Sequence, residues 1–427
     1  MHRVFRSLLL ALVFISHTTG AIAGIVNLNA GLGTLQQTVG DGNERTVYAI
    51  ALLGGSYTTP LWEFTLDLPV RWDLDGWDFD ERIWDRRGDW LRPLNTLRRT
   101  GVAGDWSVGL QTITSWTPGQ GYLVRHLSGM GEVDYGLPSF LLSWKSDHLS
   151  LEAGMDRPVD PTVQAVAISW QPTERIRLIV EGAVDPDAPV LVGSMFTDGR
   201  PEAQSTERVT GLAAGTLLVL RDGKILDVSV GVHTGRLNDE ARGLGTEVRV
   251  SLDLSPYYVS RLTIAAGSVQ CEGGYVPSWF DGIYPVERWG LGGLETPLSL
   301  NPLDGSVEDR RMESVDLVFE LGRFFRIAGG ADRFTDDSMK RAHFLMELKE
   351  KGGRGLEASL WSKADEPGED LFKEDRNLYS RISAVYAFFP HLLVRFSYDN
   401  SWAFMEDMGG LVPVTSLLVG AMYNISL

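Results

Sequence analysis

From residue 61 to 72 apolar and polar positions alternate: Trp62, Phe64, Leu66, Leu68, Val70 and Trp72 are apolar, with Glu63, Thr65, Asp67 and Arg71 among the residues between them. Successive side chains of a β-strand point to opposite faces, so the segment predicts a strand with one apolar and one polar face. The period returns at 226–232. It returns again where Val248, Val250, Leu252 and Leu254 alternate with Glu247, Arg249, Ser251 and Asp253. Val315, Leu317, Phe319 and Leu321 alternate with Ser314, Asp316 and Glu320, and 392–399 repeats the pattern. Less regular candidates lie near 25–36, 46–55, 105–116, 138–145, 148–155, 162–171, 176–184, 208–220, 258–269, 324–332, 342–350, 354–363, 376–389 and 414–427. Of these roughly 19 segments a few are expected to be broken strands or loop ribbons, and bacterial barrels have even strand numbers, which gives 16–18 strands.

Short polar connectors at 146–148, 221–224 and 351–354 suit tight hairpins. Long polar segments at 73–103, 117–137, 185–207, 270–312 and 364–376 separate the pairs. Short turns at one end and long loops at the other, with Trp62, Trp72, Trp106, Trp116, Trp144 and Trp170 near strand ends, are marks of a membrane barrel with aromatic girdles. The expected fold is therefore all-β: a closed antiparallel transmembrane β-barrel, one domain over 24–427, with long loops on one side. The N-terminus has Arg3 and Arg6, an apolar run at 8–15 and Ala21-Ile22-Ala23, the layout of a signal peptide over 1–23. No apolar stretch after it is long enough for a transmembrane helix, so a membrane-spanning form must be a closed barrel. Val419, Ala421, Tyr423, Ile425 and Leu427 alternate to the last residue, as in a closing strand read by the barrel-assembly machinery. The expected location is the outer membrane, in contact with its lipid and lipopolysaccharide; oligomeric state is left open.

Composition adds to this picture in three places. The chain is 44% hydrophobic and 22% charged, an average balance that alternation sorts onto two faces of each strand. The net charge of -17, which becomes -19 once Arg3 and Arg6 are removed, argues against a nucleic-acid partner. A single cysteine, Cys271, excludes a disulfide within the chain.

One region carries a resemblance. A strand at 64–72 is followed by an acidic, aromatic stretch over 77–90, a helix-like segment at 89–99, a strand at 106–116 and Gly119-Gln120-Gly121-Tyr122-Leu123-Val124. This order resembles a group of uncharacterised, porin-like outer-membrane barrel proteins of Gram-negative bacteria, over about a quarter of the chain. The resemblance implies a barrel and carries no reaction.

Candidate chemistry is sparse. The helix expected at 89–99 packs against or plugs the barrel mouth, or forms a constriction in which Arg92, Arg98 and Arg99 bind anions. Seven carboxylates from Asp73 to Asp89 lack the spacing of a calcium loop and suit a solvated acidic loop. Gly119-Gln120-Gly121 lacks the third glycine and following helix of a phosphate loop, and is expected to be flexible. His126, His148, His233, His343 and His391 show no metal-ligand spacing, so neither metal nor cofactor is expected. The lumen and constriction candidates are Glu63, Asp67, Arg71, Arg92, Arg98, Arg99, Glu247, Arg249, Asp253, Asp316 and Glu320. These point to a porin-like channel for small polar or cationic solutes, since an acidic lumen attracts cations. The alternatives are a structural or assembly barrel with a filled lumen, and an enzyme acting on lipid or envelope polysaccharide. No nucleophile elbow is present, which disfavours the last.

Overall fold

Each alternating segment becomes a strand. The computed structural model describes residues 25–426 apart from 40–43, 77, 80–87, 113–115, 128–136, 160, 198–199, 222–224, 254–259, 282–283, 285–287, 289–295, 297–301, 304, 323, 337–338, 350–354, 365–377, 390 and 406–409. The signal peptide expected at 1–23 lies outside the described residues. The strands are β1 (Ile25–Val39), β2 (Glu44–Thr58), β3 (Trp62–Asp73), β4 (Leu94–Thr100), β5 (Trp106–Gln111), β6 (Ser139–Lys145), β7 (Leu149–Met155), β8 (Gln164–Thr173), β9 (Ile176–Thr197) and β10 (Arg200–Arg221). They continue as β11 (Leu226–Leu237), β12 (Ala241–Asp253), β13 (Ser260–Glu272), β14 (Arg310–Leu321), β15 (Phe325–Phe334), β16 (Lys340–Lys349), β17 (Gly355–Ala364), β18 (Leu378–Phe389), β19 (Leu392–Met405) and β20 (Gly410–Ser426). Every strand pairs antiparallel with its successor, and β20 pairs back onto β1, from Ser426 opposite Asn27 to Val414 opposite Val39. The sheet is closed and has no free edge, which is what a lipid environment demands of strands.

The barrel has 20 strands, not 16–18. The less regular segments are all retained, and β4 adds one where a helix was expected. Leu91, Leu94 and Leu97 have helical spacing, yet only Asp89–Leu91 forms a single 3-10 turn. In β4 the register slips: Thr65 faces Thr96, but Leu66 faces Leu94. The extra residue, Asn95, is a β-bulge, and a bulge shifts the parity of the residues beyond it. Leu94 and Leu97, three apart, thus share the outward face with Phe64 and Leu66. The strand expected over 106–116 likewise ends at Gln111.

The outward face is apolar: Val166, Ile168, Val180, Leu212, Leu244, Val248, Ile264, Val315 and Leu317 are each at least 41% exposed. Such a band is untenable in water and suits hydrocarbon. Near the end with short turns it is rimmed by exposed Trp62, Trp170, Phe324, Tyr386, Phe389 and Tyr423, an aromatic girdle. These features identify an outer-membrane type barrel. Trp116 does not join the girdle; it packs against the interior.

The inward face is not uniformly polar, contrary to the sequence expectation. On β1, β2, β19 and β20 the buried Leu35, Tyr48, Ile50, Leu52, Leu393 and Met422 form an apolar cluster inside the barrel. From β8 to β13 the inner wall is built of small residues such as Ala165, Ala167, Ala183 and Ala213, and there chain segments fold inward to cover it. Cys271, expected in a loop, lies buried on the inward face of β13.

Candidate functional site

Two segments from the long-loop end enter the lumen: 116–127, between β5 and β6, and 273–281, with Tyr284 and Arg288 following it, between β13 and β14. They are joined by a parallel bridge at Val124 and Phe280, with the Phe280 amide donating to Leu123 O and the Arg125 amide to Phe280 O. Ser278 Oγ donates to Gly121 O at 2.7 Å.

The first segment is held by an anion nest. Gly119 and Gly121 adopt left-handed φ values of 64° and 81°, open to glycine without strain. This turns successive amides the same way: Gln120 and Gly121 donate to Glu181 Oε1 at 2.7 and 3.1 Å, and Leu123 to Glu181 Oε2 at 3.1 Å. Gly119 donates to Glu152 at 2.9 Å. The glycine run set aside as flexible therefore does cradle an anion, a buried carboxylate of β9.

Aromatic side chains then seat on the small-residue wall. Tyr122 stacks on His233 at 4.2 Å, and its hydroxyl is driven above its ordinary pKa mainly by burial, with Glu247 next. Tyr275 lies over Gly235 and Gly243, where a Cβ added to either glycine would overlap its ring. Tyr284 donates to Asp185 at 2.8 Å, and Arg288 pairs with the same carboxylate at 3.3 Å.

Beyond the nest runs an ion-pair network. Arg125 pairs closely with Asp316 and, at 3.1 Å, with Asp332. Arg341 bonds Asp332 at 3.1 Å, Asp281 at 3.3 Å and the carbonyls of Pro277 and Ser278. Burial is opposed by these carboxylates, which hold the Arg125 guanidinium firmly charged. His126 takes a left-handed φ of 57°, fixed by its amide donating to Thr117 Oγ1 at 2.7 Å. Its ring meets His343 at 4.1 Å, and His343 stacks on Trp361 at 5.0 Å. Burial first, then neighbouring His343 and Arg125, push His126 down to about 2, so it is neutral.

The sequence-expected residues are dispersed around the barrel. Glu247 and Arg249, 3.8 Å apart, border a polar cavity of about 60 Å³ below Tyr122, together with His233, Arg125 and Asp316. That volume admits a few waters and no solute. On the open part of the wall Glu63 pairs with Arg98 at 2.6 Å, Asp67 with Asn95 at 3.0 Å and Arg395 at 3.5 Å, and Glu320 with Arg326 at 3.8 Å. Arg71 is buried over the Tyr48 ring, and Asp253 lies inward at the end of β12 opposite Arg261. Arg92, partly buried, follows the 3-10 turn, and Arg99 faces outward between Trp62 and Trp106, at 5.2 and 5.7 Å. No arginine helix forms; the chain that enters the lumen is 116–127 together with 273–281. Of the seven loop carboxylates, Asp80, Glu81 and Asp85 lie outside the described residues.

Glu181, Arg125, Asp332 and Arg341 were not singled out by sequence, and His126 and His343 were set aside there for want of metal-ligand spacing. Glu181 had a signal: it is an acidic inward position set between Ile179 and Ala183 on β9. The rest come from distant segments that only the closed barrel brings together.

No family model matches the chain, and neither does any curated protein. Among solved structures it is similar to Pseudomonas aeruginosa OccK11 (OpdR), at 10% identity over 95% of this chain and 96% of that one, with a TM-score of 0.35. Pseudomonas aeruginosa OccK2 (OpdF), solved with glucuronate, is 12% identical over 95% and 96%, with a TM-score of 0.34. OpdK of the same organism, solved with vanillate, is 10% identical over 95% and 99%, with a TM-score of 0.33.

Proposed function

We propose that the protein is an outer-membrane channel for small polar solutes, with preference for cations. The observation that carries this reading is a closed barrel whose inner wall keeps charged pairs within reach of water. The side chains of Glu320 and Arg326 are 46% and 37% exposed, and that of Asp67 is 33% exposed. Paired charges of both signs suit solutes that exchange hydration for polar contacts, and the net charge of -17 favours cations at the mouths. Export through a signal peptide over 1–23, insertion by the assembly machinery through β20, and contact of the outward band with lipid and lipopolysaccharide belong to the same proposal. The refolded protein in planar bilayers is expected to give discrete conductance steps, with a reversal potential in a potassium chloride gradient displaced toward potassium. Folded protein that leaves the bilayer silent would overturn the reading. The second reading, a structural barrel with a filled lumen, is favoured by the two interior apolar clusters and is the one a silent bilayer would support.

A further inference from the structure

We infer that His126, His343 and Asp316 form a binding site for one late first-row divalent cation, zinc in the first instance, which ties the inward segment 116–127 to the barrel wall. Their ligand atoms all lie within 4.8 Å of one another, although the residues come from a loop, β16 and β14. Two imidazoles and a carboxylate are a donor set for zinc and its neighbours, with a water completing a tetrahedron. Ligands about 2.1 Å from a tetrahedral ion stand about 3.4 Å apart. His343 Nε2 and Asp316 Oδ1 are 3.4 Å apart, long for a charge-assisted hydrogen bond and right for two ligands of one ion.

Three further observations point the same way. Asp316 Oδ1 is buried and takes no hydrogen bond of ordinary geometry, while its other oxygen is occupied by Arg125. A buried acceptor left in this state is unfavourable unless something fills the gap. His126 is held in a left-handed backbone conformation that a non-glycine residue rarely adopts, and it is this conformation that brings its ring against His343. Outer contacts orient the donors as metal sites require: Thr117 fixes the backbone of His126, Arg125 the carboxylate, and Trp361 the His343 ring. Asp316 keeps 28% of its side chain exposed, which leaves a route from the lumen.

The inference does not depend on the channel reading, since binding is measured without conduction. Folded full-length protein in detergent, dialysed against zinc and then metal-free buffer, is expected to retain one zinc per chain by elemental analysis. Cobalt in its place should give the visible absorption of a tetrahedral nitrogen and oxygen site. His126→Ala, His343→Ala and Asp316→Asn should each abolish the cobalt spectrum and lower retained zinc to background, with folding checked by heat-dependent gel mobility. The double variant His148→Ala/His391→Ala, on exposed surface, should retain both signals. If a site variant fails to fold, His126→Gln replaces it, and the cobalt spectrum of the wild-type chain still reads the site. Folded wild-type protein without bound metal, or full binding in a His126→Ala/His343→Ala chain, would overturn the inference.

Discussion

Glu181 is fully enclosed, 2% exposed, and its two oxygens take the amides of Gln120, Gly121 and Leu123. Removing it strands three amide donors, two of them buried, and a buried donor costs about 1–3 kcal/mol when unsatisfied. Glu181→Ala is therefore expected to release the segment rather than unfold the barrel: limited proteolysis should cut within 116–127 while gel mobility stays that of a folded barrel. Protection equal to the wild type would show that the segment's other contacts, among them Gly119 with Glu152 and Val124 with Phe280, hold it without Glu181. The same dependence on one residue holds where Tyr275 sits on Gly235 and Gly243. Gly235→Leu places carbon atoms where the ring stands, and is expected to displace 273–281 with loss of its protection in hydrogen exchange. Neither role is visible in a list of residue types. A glycine in a strand ordinarily weakens it, and only the approach of the ring explains its presence.

At the scale of elements, strand identity followed from alternation, and the one strand missed, β4, was missed because of the bulge at Asn95. This has a testable side. Deleting Asn95 should leave Phe64 opposite Leu97 and Leu66 opposite Leu94 in an unbroken ladder, so the variant is expected to fold, losing the contact with Asp67 and the hydrogen bond from the Thr112 amide. Deleting Ile264 from the regular β13 instead flips every later residue, sending Val269 and Cys271 toward lipid and Gln270 into the core. That chain is expected to stay in the slow, unfolded gel form after refolding. Equal behaviour of the two deletions would contradict the bulge as the source of the parity change.

At the scale of the whole molecule, Arg125 links the loop system to the far wall through Asp316 and Asp332. Arg125→Ala leaves two carboxylates without that partner and removes a tie between the inward segment 116–127 and the wall. Single-channel conductance is expected to rise and cation preference to strengthen; an unchanged conductance would place the narrowing elsewhere. The sequence alone determined that the chain is a barrel of alternating strands, with long loops at one end, an apolar outer band and charged inward positions such as Glu63, Asp67, Glu247 and Glu320. It could do so because the period of a strand is a local property, readable within a dozen residues. Only the tertiary structure decided that the interior is partly apolar, that Arg99 faces outward, and that two loops turn in to meet a carboxylate on β9 and an ion-pair network on β14 to β16. Those contacts join positions such as Arg125 and Asp332, 207 residues apart. Closure of the sheet, which no local pattern encodes, sets which of them meet.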